Sequence, residues 1–228
     1  MVEEDSLKMI QDIKSNWKSG DPPSQIDYLS FLSKKGVNVK DNTESVQPKE
    51  NLIWFDAREF AINAHGDQKY GDQPYSYHLD QVAWSSYDMI LSTNFLLPVA
   101  YLHDVLEDTD IKENDIQKNF GTAVTLAVGY LTDPEGKNRK ERKKKLYGVM
   151  RSLSVNITYS RAALIVKTAD RYCNIKNSFN NNKDLLEMYR KEHKEFKNAV
   201  YRNGLCENLW TQMENILNEQ SNHNNDNE

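Results

Sequence analysis

The sequence has few of the features that mark secreted, disulfide-stabilised or membrane-spanning proteins. Its two cysteines, Cys173 and Cys206, are too few for a disulfide framework and lack the spacing of a cysteine zinc site. No apolar run approaches the roughly 18 residues that a membrane-spanning helix needs. The acidic start, MVEEDSLKMI, does not match a secretory signal. We therefore expect a soluble, cytoplasmic protein that has no membrane partner.

Positive charge is scarce except in one place. The formal net charge of −5 argues against general nucleic-acid binding, but the segment at 136–145, GKNRKERKKK, contains seven basic residues and one acid. Concentrated positive charge of this kind attracts anionic ligands. The alternative interpretation is a solvated basic loop. The position of the segment, between two helices that carry candidate site residues, favours a function.

The hydrophobic pattern predicts an all-α protein in three parts. We expect a partly helical or flexible extension at 1–48, a helical domain at 49–220 and a disordered tail at 221–228. Apolar residues recur at spacings of three and four up to His65, which predicts that the first helix of the domain ends there. A helix is expected after His78, with no strand pair before it. Further helices are expected at 110–120, 121–131, 160–174, 182–201 and 205–217.

The segment YLHDVLEDTD concentrates four groups that bind metal ions or transfer protons. Pro98 fits the first turn of a helix. On that helix, His103 would share a face with Glu107, and by the same i, i+4 spacing Asp104 would share a face with Asp108. The neighbouring residues are apolar, so unpaired charge would be costly here and a bound cation would offset that cost. The alternative is an exposed acidic helix end with one hydrogen-bonded histidine.

Two distant segments add one polar group each at the edge of an apolar helix, His78 and, in LIVKTADRYCNI, Asp170. With the His103-Asp104 pair they could form a closed ligand set. Two neutral imidazoles and two carboxylates suit Mn²⁺, with Fe²⁺, Zn²⁺, Co²⁺ or Ni²⁺ as possible substitutes. Such an ion would activate water for attack on a phosphate ester, and the two acids one turn further on could orient that water or transfer a proton.

These segments resemble the HD superfamily of metal-dependent phosphohydrolases, which is named after an adjacent His-Asp pair. The string LHDVLEDT is similar to the RelA/SpoT alarmone hydrolase branch, as are AHGDQKYGDQPYSYHLDQVA, the Phe120-Gly121 pair and KTADRYCNI. The resemblance covers about residues 50–200. It implies an HD-domain helical bundle with a single buried metal site.

The resemblance also implies roles for individual residues. The four that would bind one Mn²⁺ are His78, His103, Asp104 and Asp170. The catalytic acidic pair would be Glu107 and Asp108. Asn174 would help to hold the substrate, and Lys69 and Tyr70 are the candidates for packing on a purine base.

Two positions depart from the family's pattern. Lys69 stands where relatives often have arginine, and lysine lacks the planar guanidinium that stacks well on a base. Leu79 follows His78 where many relatives have proline, a change that affects the helix start more than the chemistry. In the basic segment, Arg139 and Arg142 lie at i, i+3 if it is helical, and two forked donors there could hold a pyrophosphate.

The resemblance implies a metal-dependent hydrolase that removes the 3′-pyrophosphate from guanosine tetra- or pentaphosphate, giving GDP or GTP and pyrophosphate. We expect a small-molecule nucleotide as its partner and no synthetase domain in the chain. Two alternatives stay open. One is an HD phosphohydrolase acting on another nucleotide, such as the 2′-phosphate of NADPH or a nucleoside triphosphate. The other is a nucleotide sensor without turnover. The oligomeric state is open as well.

Overall fold

The structure is a computed structural model that describes residues 53–219, except Tyr87 and Met89. The predictions for the extension at 1–48 and for the tail at 221–228 lie outside these residues. Within the described part, the chain is helical almost throughout, which confirms the prediction of an all-α fold. None of the described helices is both long enough and apolar enough to cross a membrane.

The elements follow one another along the chain as a series of helices interrupted once by a very short hairpin. They are α1 (Ile53–His65), β1 (Lys69–Tyr70), β2 (Gln73–Pro74), α2 (Tyr75–Ser85), α3 (Thr93–Tyr101), α4 (Val105–Asp108), α5 (Glu113–Phe120), α6 (Thr122–Leu131), α7 (Arg139–Ser152), α8 (Thr158–Asn181), α9 (Lys183–Val200) and α10 (Glu207–Glu219).

Helix α8 forms the centre of the bundle. Its residues from Ala162 to Ala169 are all buried, as expected for a helix that is surrounded by others. It packs against α2, α3, α6, α9 and α10. Helices α9 and α10 each bury one apolar stripe and leave the opposite face polar. Residues on α8 are therefore held from several sides, which suits a helix that carries a candidate site residue.

The structure corrects two predictions on the amino-terminal side of the bundle. A strand pair does exist, since Lys69 pairs with Pro74 and Tyr70 with Gln73 in an antiparallel hairpin. Helix α2 begins at Tyr75, so His78 lies inside the helix and not before it. Pro74 precedes the helix, with the extended backbone that a residue before a helix usually has.

A third correction concerns the helix that was expected to carry both His103 and Glu107. Pro98 lies near the end of α3 and not in its first turn, and α3 ends at Tyr101. The chain then forms a turn, and a new short helix, α4, begins at Val105. The pair of His103 and Asp104 thus lies on a turn, and the pair of Glu107 and Asp108 lies on the helix that follows this turn.

Candidate metal centre and active site

Three elements bring the four predicted ligands together. Helix α2 supplies His78, the turn between α3 and α4 supplies His103 and Asp104, and α8 supplies Asp170. Nε2 of His103 is 2.9 Å from Oδ2 of Asp104, and Nε2 of His78 is 3.6 Å from the same oxygen. Nε2 of His78 also lies 3.5 Å from Oδ1 of Asp170. Ligand atoms of the two histidines and Asp170 all lie within 4.8 Å of one another.

The turn itself directs His103 into this cluster. Leu102 and Asp104 both have ψ close to zero, in the sparsely populated region between helix and strand. Nδ1 of His103 donates a hydrogen bond of 2.7 Å to the carbonyl oxygen of Ala100. Since a carbonyl only accepts, the proton of the neutral ring lies on Nδ1, and Nε2 carries a lone pair.

The donor set fits a divalent cation. Nε2 of His103 is buried and has no hydrogen-bond partner among the described residues, although it lies close to Asp104. A lone pair and a carboxylate oxygen at 2.9 Å repel each other unless a cation lies near both. Imidazole nitrogen and carboxylate oxygen together are typical ligands of mid-row transition metals. The geometry is thus suited to a metal ion held by His78, His103, Asp104 and Asp170.

The charges of the cluster favour a cation as well. Burial alone would raise the pKa of Asp104, but His103 and His78 hold it well below its usual range when their rings are protonated. Burial would also raise the pKa of Asp170, but its hydrogen bond to His78 and the positive charge of Lys167 lower that pKa. Burial opposes the charged form of His78, yet the two carboxylates raise its pKa to about 9. Both carboxylates are therefore ionised at neutral pH.

The predicted acidic pair lies on α4, directly after the turn. Oε1 of Glu107 accepts a hydrogen bond of 2.5 Å from the backbone N–H of Asp133, and Oδ2 of Asp108 is 3.2 Å from the hydroxyl of Tyr75. Burial raises the pKa of Glu107, and burial together with the charge of Asp104 raises that of Asp108. Carboxyl groups with raised pKa values are suited to exchanging protons near neutral pH.

Two of the predicted substrate residues contact the cluster. The ring of Tyr70 stacks on His78, with 4.4 Å between the centroids and 18° between the planes. The hydroxyl of Tyr70 donates to Oδ1 of Asn174 at 2.8 Å, and Nδ2 of Asn174 donates to Oδ1 of Asp170 at 2.5 Å. Lys69, next to Tyr70 on β1, is exposed.

The predicted arginine clamp lies on α7, which begins at Arg139 as the i, i+3 spacing required. Nε of Arg139 pairs with Glu192 of α9 at 3.0 Å, and Glu192 pairs with Arg171 at 3.2 Å. Nε of Arg142 is 3.8 Å from Oδ2 of Asp133. Both arginines are therefore engaged with acidic side chains, and a phosphate would have to compete with those acids.

Several residues around the site were not assigned a function from the sequence. The hydroxyl of Tyr75 contacts Asp104, a predicted metal ligand, and Asp108, a predicted catalytic acid. Nζ of Lys143 lies 2.9 Å from Oδ1 of Asp133, the residue whose backbone holds Glu107. Nζ of the buried Lys167 lies 3.6 Å from Oδ2 of Asp170. The i, i+3 spacing on α8 indicates Lys167 as a partner of Asp170, whereas no sequence signal indicates the contacts of Tyr75 and Lys143.

A polar cleft of about 130 Å³ opens beside the cluster, between α2 and the second half of α8. Tyr70 and His78 line it on one side. Its remaining wall offers amide, ammonium, thiol and phenol groups, from Tyr77, Gln81, Cys173, Lys176, Asn177, Asn180 and Asn181. Such a wall can form hydrogen bonds with a polar ring or sugar.

No family model matches the chain. Several curated proteins are similar to it in sequence. A probable guanosine-3′,5′-bis(diphosphate) 3′-pyrophosphohydrolase of Mycoplasma pneumoniae is 32% identical over 127 residues, which cover 52% of this chain and 17% of that protein. A guanosine-3′,5′-bis(diphosphate) 3′-pyrophosphohydrolase of Drosophila melanogaster is 30% identical over 123 residues, which cover 52% of this chain and 65% of that protein. The chain thus spans less than two thirds of either relative.

The fold matches that of a solved protein described as a metazoan ortholog of SpoT that hydrolyses ppGpp. The TM-score is 0.63 and the identity 23%, and the match covers 77% of this chain and 98% of the other. At this identity the match establishes the fold. In sequence, the chain is similar to guanosine-3′,5′-bis(diphosphate) 3′-pyrophosphohydrolases, which confirms the resemblance to the RelA/SpoT-like branch of the HD superfamily.

Proposed function

We propose that this protein is a Mn²⁺-dependent hydrolase that removes the 3′-pyrophosphate from guanosine tetra- or pentaphosphate, releasing GDP or GTP and pyrophosphate. The observation that carries the proposal is the convergence of His78, His103, Asp104 and Asp170 on one buried point, with two acids of raised pKa on the adjoining helix. Relatives that are 32% and 30% identical to about half of this chain are named for this reaction.

The chain's own groups would hold the ion and the substrate in place. The ionised Asp104 and Asp170 supply negative charge, and His103 directs a lone pair into the cluster because its other nitrogen is bonded to Ala100. Once bound, a divalent ion lowers the pKa of an attacking water and stabilises charge on a phosphoryl oxygen.

The acidic pair would move the protons. Hydrolysis forms a bond between the water oxygen and phosphorus and breaks the bond from phosphorus to the ribose 3′ oxygen. One carboxylate of the pair would accept the proton of the water, and the carboxyl group so protonated would give a proton to the leaving 3′ oxygen. Glu107 is suited to this exchange, because burial raises its pKa and the N–H of Asp133 fixes its orientation.

The cleft beside His78 would take the nucleoside. Asn177 and the other amides of its wall can donate and accept hydrogen bonds at a base edge, and Tyr70 offers a ring at its border. The basic helix α7 would attract the phosphates as the substrate approaches. In this arrangement the scissile phosphate would lie at the metal cluster, between the cleft and α7.

A second candidate is hydrolysis of a different nucleotide by the same site. It is favoured by one observation, the absence of a guanidinium at the start of the hairpin, where Lys69 is exposed and Tyr70 is occupied with Asn174. A lysine forms neither the stacked nor the forked contacts that arginine makes with a base. NADPH and nucleoside triphosphates are the substrates to compare.

A substrate panel tests the proposal. The purified chain with Mn²⁺ is given guanosine tetraphosphate, NADPH or GTP at equal concentration, and the released pyrophosphate and orthophosphate are measured. We expect kcat/KM for guanosine tetraphosphate to exceed the others at least about tenfold, a difference of about 1.4 kcal/mol. Preferential release of orthophosphate from NADPH would favour the second candidate. Binding of guanosine tetraphosphate without turnover would favour a sensor.

A further inference from the structure

Tyr75 is held in place independently of its hydroxyl. It is the first residue of α2, and its backbone N–H donates to the carbonyl oxygen of Gln68 at 3.1 Å, which closes the hairpin. Its ring stacks on that of the buried His65, with 4.2 Å between the centroids and 21° between the planes. Nδ1 of His65 in turn lies 2.8 Å from Oε1 of Gln68. The position of the ring is thus fixed from two sides.

The hydroxyl of Tyr75 lies between an acid of the metal-binding pair and an acid of the catalytic pair. It lies 2.6 Å from Oδ2 of Asp104, a predicted metal ligand, and 3.2 Å from Oδ2 of Asp108, a predicted catalytic acid. A phenol has one hydrogen to donate, and the shorter distance places it on Asp104. Asp108 is held by a different neighbour, because Nε2 of Gln68 donates to its backbone carbonyl oxygen at 2.7 Å.

The contact with Asp104 matters because that carboxylate lies on an irregular turn. Asp104 has ψ near zero and precedes α4, so no regular helix supports its side chain. Its Oδ2 lies next to both histidines, at 2.9 Å from His103 and 3.6 Å from His78. A ligating carboxylate that accepts a hydrogen bond from a rigid neighbour keeps one orientation, and loss of such outer contacts typically weakens metal binding by 10- to 100-fold.

We propose that Tyr75 is a positioning residue that orients Asp104 for metal binding. This inference rests on the proposed function, since it assigns Tyr75 a part in the same site. The hydroxyl carries the role, and the ring only places it, because both acids are contacted through oxygen while the ring is held by His65 and the hairpin.

The variant Tyr75→Phe tests the inference, because it keeps the stacked ring and removes the hydroxyl. Mn²⁺ alone is titrated into metal-free protein, and the free ion is measured by electron paramagnetic resonance. We expect Kd for Mn²⁺ to rise about tenfold or more, with the melting temperature of the metal-free protein falling no further than in the control variant. Tyr172→Phe is the matched control, since it removes a phenol that donates a 2.7 Å hydrogen bond to Gln212 between α8 and α10.

Wild-type Mn²⁺ affinity in Tyr75→Phe would overturn the inference. So would an equal loss of affinity in Tyr172→Phe, which would mark a general effect of losing a half-buried hydroxyl. The Mn²⁺ titration does not depend on the proposed function, because it is carried out without nucleotide. If the wild-type protein hydrolysed no nucleotide while Tyr75→Phe still weakened Mn²⁺ binding, the proposed function would fail and the inference would stand.

Discussion

Nδ1 of His103 donates its proton to the carbonyl oxygen of Ala100 across 2.7 Å, and this bond decides the chemistry of the opposite ring nitrogen. A backbone carbonyl cannot donate, so the neutral ring must present a lone pair at Nε2. That nitrogen is buried beside Asp104, with no hydrogen-bond partner in the part of the chain that the structure describes. The irregular turn after α3 therefore creates a place for a cation.

Replacement of His103 by glutamine should abolish metal binding and hydrolysis together. Glutamine keeps polar atoms at the position but removes the imidazole lone pair, and we expect Mn²⁺ affinity to fall at least about 100-fold. Isothermal titration with Mn²⁺ and a pyrophosphate-release assay measure both. His193→Gln is the control, because His193 is on α9 and its ring faces Trp210 and Glu214 of α10. Activity of His103→Gln within threefold of wild type would contradict the assignment.

Glu107→Gln should separate chemistry from metal binding. Glu107 is not one of the four predicted ligands, and the change removes its ability to exchange a proton while keeping its size. We expect kcat to fall about 100-fold or more, with Mn²⁺ affinity within a factor of about two. Steady-state kinetics at saturating Mn²⁺ measure kcat, and titration of the metal-free variant measures its Mn²⁺ affinity.

The exposed Glu195 provides the control for that experiment, since Glu195→Gln makes the same chemical change on the outer face of α9. Retention of kcat in Glu107→Gln would show that this carboxyl takes no part in proton transfer. Loss of Mn²⁺ affinity in step with kcat would instead make it a metal ligand.

Removal of the metal should lower stability. Without a cation, Asp104 and Asp170 keep their charges close to each other in a buried site, so an ion that binds only the folded state stabilises it. Mn²⁺ at 100 times its Kd should add about 2.7 kcal/mol to the free energy of unfolding. Differential scanning calorimetry of protein treated with a chelator, with and without added Mn²⁺, measures the shift. Identical melting curves would contradict a resident ion at this site.

The pair of Asp88 and Arg161 should give the protein an acid-sensitive contribution to stability. Asp88 accepts hydrogen bonds from Nη2 of Arg161 at 2.7 Å and from the backbone N–H groups of Ile90 and Leu91. Burial would raise the pKa of Asp88, but these hydrogen bonds, that of Arg161 foremost, hold it below its usual value. The folded state therefore favours the ionised carboxylate.

The sign of the effect follows from that lowered pKa. The stabilisation is present above the unfolded pKa of about 3.9 and is lost as the pH falls through the lower folded pKa. We expect Asp88→Asn to cost about 2 kcal/mol at pH 7, with the difference from wild type shrinking below about pH 4. Thermal melts from pH 7 to pH 3 measure it. A difference that stayed constant over this range would contradict the ion pair as its source.

The sequence was sufficient to predict the fold class and to predict which four side chains lie near one another in the candidate metal site. His103 and Asp104 are adjacent in the chain, and His78 and Asp170 lie on helices whose apolar periodicity is clear, so each could be placed at the edge of a core. Helix boundaries were less accurate. The polar run after Asn174 remains helical to Asn181, because Ser178 is buried in the bundle and tertiary packing outweighs local preference.

Contacts between distant segments were beyond the reach of the sequence. The contact of Tyr75 with Asp104 joins residues 29 positions apart, and that of Glu107 with the backbone of Asp133 joins residues 26 apart. The break between α3 and α4 could not be predicted either, because the helical spacing of apolar residues continues from one helix into the next. Arg139 was assigned to phosphate from its type and spacing, but only the fold places Glu192 beside it.

The most direct test follows the products of guanosine tetraphosphate by ³¹P nuclear magnetic resonance, with Mn²⁺-loaded wild-type protein and with the Asp104→Asn variant. The account predicts that the wild-type protein produces pyrophosphate and GDP in equal amounts, and that the variant produces neither. Release of orthophosphate as the first product, or turnover by Asp104→Asn at the wild-type rate, would contradict it.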